Sequence, residues 1–105
     1  MLVFITCKNK KEAQKIGLAL VKKRLVACSG MIPKVSSVYW WPPKRNKLER
    51  TKSEVILLVE TVRDKFREIE REVKKLHSYE LPCILAVPLA VANKGYREWL
   101  KGELR

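Results

Sequence analysis

The chain has 105 residues, 47% hydrophobic and 32% charged, which suffices for one domain with a modest core and not for two. No apolar run approaches the roughly 20 residues that a membrane-spanning helix needs. Three cysteines without CxxC spacing argue against a disulfide framework and against a zinc ribbon.

The net charge of +12 is unevenly placed: residues 1–52 hold 13 Lys/Arg against Glu12 and Glu49, and residues 53–105 hold 10 against nine acids. That asymmetry suits a polyanion such as nucleic acid; the plainer reading is a solvated helix face plus a basic loop tip. The N-terminal apolar stretch precedes its lysines and is too short for a secretory signal. A cytoplasmic protein with reduced, mostly buried cysteines is therefore expected.

Taken in order, Leu2–Thr6 reads as a buried strand, too short for a helix. Asn9 followed by Glu12 resembles a capping box, and Ala13, Ile16, Gly17, Leu20, Val21 and Leu25 then fall on one stripe at helical spacing, which predicts a helix packed on a sheet. Val26–Met31 begins a second strand, with Ser29-Gly30 a candidate bulge and Pro33 against an uninterrupted central strand.

Lys34 to Thr61 predicts a long hairpin: KVSSVYWW and SEVILLVET flank a turn with Pro42, Pro43, Lys44, Arg45, Lys47 and Arg50. The tip is expected to be mobile. Between Val55 and Val59 both faces are apolar, and Val38–Trp41 points large groups to both sides. One small domain covers only one such face with its own helices, which predicts self-assembly.

Thr61 and Asp64 resemble a second capping pair. They open a helix to about Leu76 with Val62, Phe66, Ile69, Val73 and Leu76 inward and i+3/i+4 charge pairs outward. HSYELP carries the only histidine, Cys83–Leu89 reads as the last strand, and Tyr96–Leu104 as a short helix with Trp99 and Leu100 inward. The order β-α-β-β-α-β plus a terminal helix predicts a single α+β domain over 1–105. It is a ferredoxin-like sandwich with two helices on one face of an antiparallel sheet.

Enzyme signatures are scarce: no G-x-S-x-G, H-E-x-x-H or glycine-rich phosphate loop occurs, and no catalysis is expected. His77, Tyr79 and Glu80 are either an ordinary helix end or a soft-metal site joining the imidazole to a cysteine thiolate. Tyr39, Trp40 and Trp41 either pack within or between subunits or offer base-stacking platforms. The element order is also that of an RNA-recognition motif, but Val55–Thr61 lacks the aromatics such a motif needs there.

Five segments together carry a resemblance over nearly the whole chain. They are Arg24-Leu25-Val26-Ala27-Cys28, Ser37-Val38-Tyr39-Trp40-Trp41, Glu54-Val55 leading to Thr61, His77-Ser78-Tyr79-Glu80-Leu81-Pro82, and Tyr96-Arg97-Glu98-Trp99-Leu100. In these the chain resembles the CutA divalent-cation-tolerance proteins. The resemblance implies a homotrimer of PII-like architecture, with Val35–Trp41 and Val55–Thr61 making sheet contacts between subunits. It also implies divalent-metal binding, copper included, a role in heavy-metal tolerance and no settled catalytic activity.

The family pattern places Cys28, Tyr39, Trp41, Glu54, Thr61, His77 and Tyr79 near clefts between subunits. Departures from it include Gly30 for an Asn, Pro42-Pro43 for Glu-Gly, and Cys83 for an acidic residue. The last adds a soft donor, so His77, Cys28 and Cys83 are the metal-ligand candidates. A basic polyanion-binding module and a PII-like small-ligand-sensing trimer remain as alternatives.

Overall fold

The computed structural model describes residues 1–40 and 47–105. Four strands, β1 (Leu2–Cys7), β2 (Cys28–Val35), β5 (Glu54–Glu60) and β6 (Ile84–Val87), form an antiparallel sheet in the order β2-β5-β1-β6. Strands β3 (Val38–Trp40) and β4 (Leu48–Arg50) form a separate two-stranded arm. Helices α1 (Lys10–Lys22) and α2 (Phe66–Leu76) pack on one sheet face, and α3 (Lys94–Glu103) closes the chain. The α+β, ferredoxin-like architecture is as the sequence predicts. The Pro42-Pro43 turn, its Lys44 and Arg45, and Trp41 lie outside the described residues.

Alternation explains the sheet. Val3, Ile5 and Cys7 of β1 and Val55, Leu57 and Val59 of β5 point to the helices and are buried with Ala13, Ile16, Leu20, Ile69 and Val73. The intervening Leu2, Phe4, Thr6, Ile56, Leu58 and Glu60 form the opposite, helix-free face. There Ile32, Leu85 and Val87 are 47%, 54% and 47% exposed.

α1 begins as expected: the Glu12 amide donates to Asn9 Oδ1 at 2.9 Å. Gly17 sits where α1 crosses β2, and an added Cβ would collide with Ser29 Oγ and lie 3.2 Å from Leu57 Cδ1. The helix ends on Arg24 in the left-handed region (φ 60). The Leu25 amide reaches back to the Leu20 carbonyl at 3.1 Å, and the Arg24 guanidinium holds Glu103 of α3 at 2.7 Å.

Several expectations change. β5 pairs with β1 on one side and β2 on the other, so its backbone has no free edge for pairing between subunits; Val38–Trp40 pairs with Leu48–Arg50 instead. The bulge falls at Pro33-Lys34, where the β2–β5 register shifts and Lys34 has φ 58, while Ser29-Gly30 stays in register. α2 starts after a 3-10 turn, Arg63–Lys65, with no side-chain cap, because the Thr61 hydroxyl is committed to the Leu25 carbonyl. Trp99 is 45% exposed and stacks on Tyr96, leaving Leu100 as the inward residue of α3. The radius of gyration, 14.5 Å, exceeds the about 13 Å of a compact chain this long.

Candidate functional site

The end of β1, the start of α1 and the end of α2 meet at one point. Glu12 is only 8% exposed. Its Oε1 accepts the Lys8 amide at 2.9 Å and its Oε2 the Ser78 amide at 2.8 Å, which ties α1 to the segment after α2. Burial opposes its charge, yet the Ser78 and Lys8 hydrogen bonds prevail and hold the carboxyl below its ordinary value. Cys7 beside it is buried, and burial first, then Glu12 and Glu54, pushes its thiol up to about 12. It is a neutral thiol at physiological pH.

His77 follows α2 directly and its side chain is fully buried. Nε2 lies 2.7 Å from the Thr6 carbonyl oxygen, and Nδ1 accepts the Tyr79 amide at 3.0 Å. A carbonyl only accepts, so Nε2 carries the proton and the ring is neutral. Nδ1 stands 3.9 Å from Glu12 Oε1. Donor atoms of Cys7, Glu12 and His77 all lie within 4.8 Å of one another. Sulfur, imidazole and carboxylate together suit copper or zinc.

Next to this cluster opens a cleft of about 610 Å³ whose lining includes Thr6, Ser37, Tyr39, Glu54, Tyr79 and Cys83. Four of the predicted site residues, Tyr39, Glu54, Tyr79 and Cys83, therefore meet. Glu54 is 3% exposed; Oε1 accepts from the Thr51 hydroxyl at 3.0 Å and Oε2 from the Tyr79 hydroxyl at 2.5 Å. Burial and then that hydrogen bond and charge push the Tyr79 phenol well above its ordinary range, and burial with Glu54 and Glu49 raises Tyr39. The Tyr79 ring also rests on His77, centroids 4.8 Å apart.

Cys28 and Thr61 lie elsewhere. Cys28 pairs with Glu60, at the opposite end of β5 from Glu54, about 20 Å away at a strand rise of about 3.3 Å per residue. Within one chain it stands apart from His77. Its thiol is raised by burial and by Glu60, whose carboxylate also takes the Tyr96 hydroxyl and lifts that phenol to about 12. Thr61 is fully buried, its hydroxyl donating to the Leu25 carbonyl at 2.7 Å, and its amide donates to the Met1 carbonyl.

Cys83 sits on the cleft wall one residue before β6, its carbonyl 3.4 Å from the Thr6 amide. Cys7 and Glu12 are site residues that sequence reasoning missed. Glu12 was legible as a cap, and its second oxygen, reaching Ser78, was not.

The model of the CutA1 divalent ion tolerance protein family matches residues 1–103. The divalent-cation tolerance protein CutA of Archaeoglobus fulgidus is 36% identical over 98 residues, covering 93% of this chain and 91% of that protein. The mouse protein CutA is 35% identical over 97 residues, but the chain spans only 52% of its length. The solved divalent cation tolerance protein from Thermus thermophilus superposes with a TM-score of 0.90 at 35% identity, over 99% of this chain and 97% of that one. Family model, relatives and solved fold coincide, and the chain belongs to the CutA1 divalent ion tolerance protein family.

Proposed function

We propose that this chain acts as a non-catalytic homotrimer in divalent-cation tolerance and binds one copper or zinc ion per subunit. The observation that carries the metal reading is the Cys7, Glu12 and His77 donor set, closed to within 4.8 Å. Bound metal would exchange for existing bonds rather than fill a void, because no buried side-chain N or O among the described residues lacks a partner. His77 would give up its Nδ1 bond to Tyr79, and Cys7 would bind as thiolate, releasing its proton. Cys83 borders the same region as a further soft donor, whereas Cys28 could join only from a neighbouring subunit. The half-exposed Ile32, Leu85 and Val87 on the helix-free face support assembly. Three unbonded cysteines support a reducing compartment such as the cytoplasm.

Zinc titration of chelator-treated protein, by calorimetry in buffers of different ionisation enthalpy, tests the metal reading. The expected result is one ion per subunit with proton release, and weaker binding in His77→Ala and Cys7→Ser. Unchanged affinity in His77→Ala rejects the site. Solution mass tests the assembly; a monomer rejects it.

A second reading rests on the outward side of α1, where Lys11, Lys15 and Lys22 are exposed, with Arg67 and Arg71 exposed on α2. Polyanion binding there would show a steep log–log salt dependence. No retention of RNA or DNA at physiological salt removes it.

A further inference from the structure

The cleft beside the metal cluster has a feature that metal binding does not use. Glu54 is a carboxylate only 3% exposed, and among the described residues its hydrogen bonds come from neutral hydroxyls, those of Thr51 and Tyr79. Among the described residues no Lys, Arg or His forms an ion pair with it, although the chain carries 23 Lys/Arg. A buried charge that is hydrogen-bonded but not neutralised is costly, and buried charges are ordinarily paired.

The surroundings say what would neutralise it. Tyr39 and Tyr79 share the cleft with Glu54, and the Tyr79 hydroxyl donates to its carboxylate. The remaining wall is mostly apolar, including Val38, Leu81, Ile84 and Leu85. One carboxylate, aromatic rings and aliphatic walls form the lining that recognises an organic ammonium group. An anion would meet the Glu54 charge, and a hard divalent ion would lack the six or more oxygen donors it takes.

We propose that this cleft binds a small organic ammonium ion, its charge against Glu54 and its alkyl groups against Tyr39, Tyr79 and the apolar wall. The site is distinct in its ligands from the Cys7, Glu12 and His77 cluster, so loss of metal binding in His77→Ala leaves the proposal standing.

The test uses the full chain, chelator-treated, with choline as the cation and 3,3-dimethylbutan-1-ol as its neutral isostere, each followed by amide chemical shifts. Saturable choline shifts confined to residues lining the cleft are expected, with the alcohol at least about tenfold weaker. Glu54→Gln, with an unchanged far-UV spectrum, is expected to weaken choline by at least about tenfold. Should that variant not fold, Tyr39→Leu serves, with a loss of at least about threefold from one missing ring. Equal binding of cation and alcohol, undiminished binding in the variant used, or no saturable cleft shifts each overturn the proposal.

Discussion

Thr61 offers a sharp test, because sequence and structure assign it different work. The family pattern puts it near a ligand cleft; the fold buries it completely, with its hydroxyl on the Leu25 carbonyl at 2.7 Å. Thr61→Val keeps the volume and removes only the donor. The Leu25 carbonyl is then left without that donor, which costs about 1–3 kcal/mol. Thr61→Ser keeps the donor and loses one methyl, a cost of about 1 kcal/mol. Urea unfolding at one fixed protomer concentration, needed because the proposed assembly would contribute to apparent stability, measures both. The expected pattern is a lower midpoint at unchanged slope for both variants, larger for Val, with zinc and choline affinities per folded subunit unaltered. A neutral or stabilising Thr61→Val refutes the hydrogen-bond argument. Lost ligand binding in a folded Thr61→Ser restores Thr61 as a site residue.

Two further predictions concern the helix layer. Glu12 titrates lower in the folded chain than in the unfolded one, so its charge stabilises the fold above its ordinary value of 4.5 and that contribution fades as pH falls through the folded value. Glu12→Gln should cost about 1–3 kcal/mol near neutrality and flatten the acid limb of stability against pH below 4.5; an acid limb parallel to the parent's would contradict this. Gly17→Ala should gain about 1 kcal/mol of helix propensity yet destabilise through collision with Ser29 Oγ, and should become neutral or stabilising once Ser29→Ala removes that oxygen. Additive effects across the four-variant cycle would show that the two sites do not touch.

What was legible in the chain follows from the range of the forces involved. Ala13, Ile16 and Leu20 announce α1 because their spacing is a property of one element. The strand partners of β5 depend on loops and on competition among strands, so the run at Val55–Val59 told of burial but not of its neighbours β1 and β2. The same limit hid the cluster. Cys7 reads as core and Glu12 as a cap, while His77 reads either as a helix end or as a metal ligand; each reading holds locally, and only the crossing of β1 with two helix ends brings their donors together. Thr61 shows the converse, a local capping pattern overridden when a buried carbonyl 36 residues away took the hydroxyl first.

Among the described residues the β3–β4 arm has three paired positions, Val38 with Arg50, Tyr39 with Glu49 and Trp40 with Leu48, and Val38, Trp40 and Leu48 are exposed. A ribbon of two strands has little reason to hold its shape in water by itself. In the proposed trimer its order would be borrowed from the neighbour across Trp40 and Leu48, and folding of the arm would be coupled to association. Dilution should loosen the ribbon while the four-stranded sheet stays closed, so that amides of Tyr39 and Glu49 exchange at rates set by protein concentration and those of Ile5 and Leu57 do not. Because Tyr39 reaches from that ribbon into the Glu54 cleft, occupancy of the cleft and subunit association would then report on each other, as linked equilibria must.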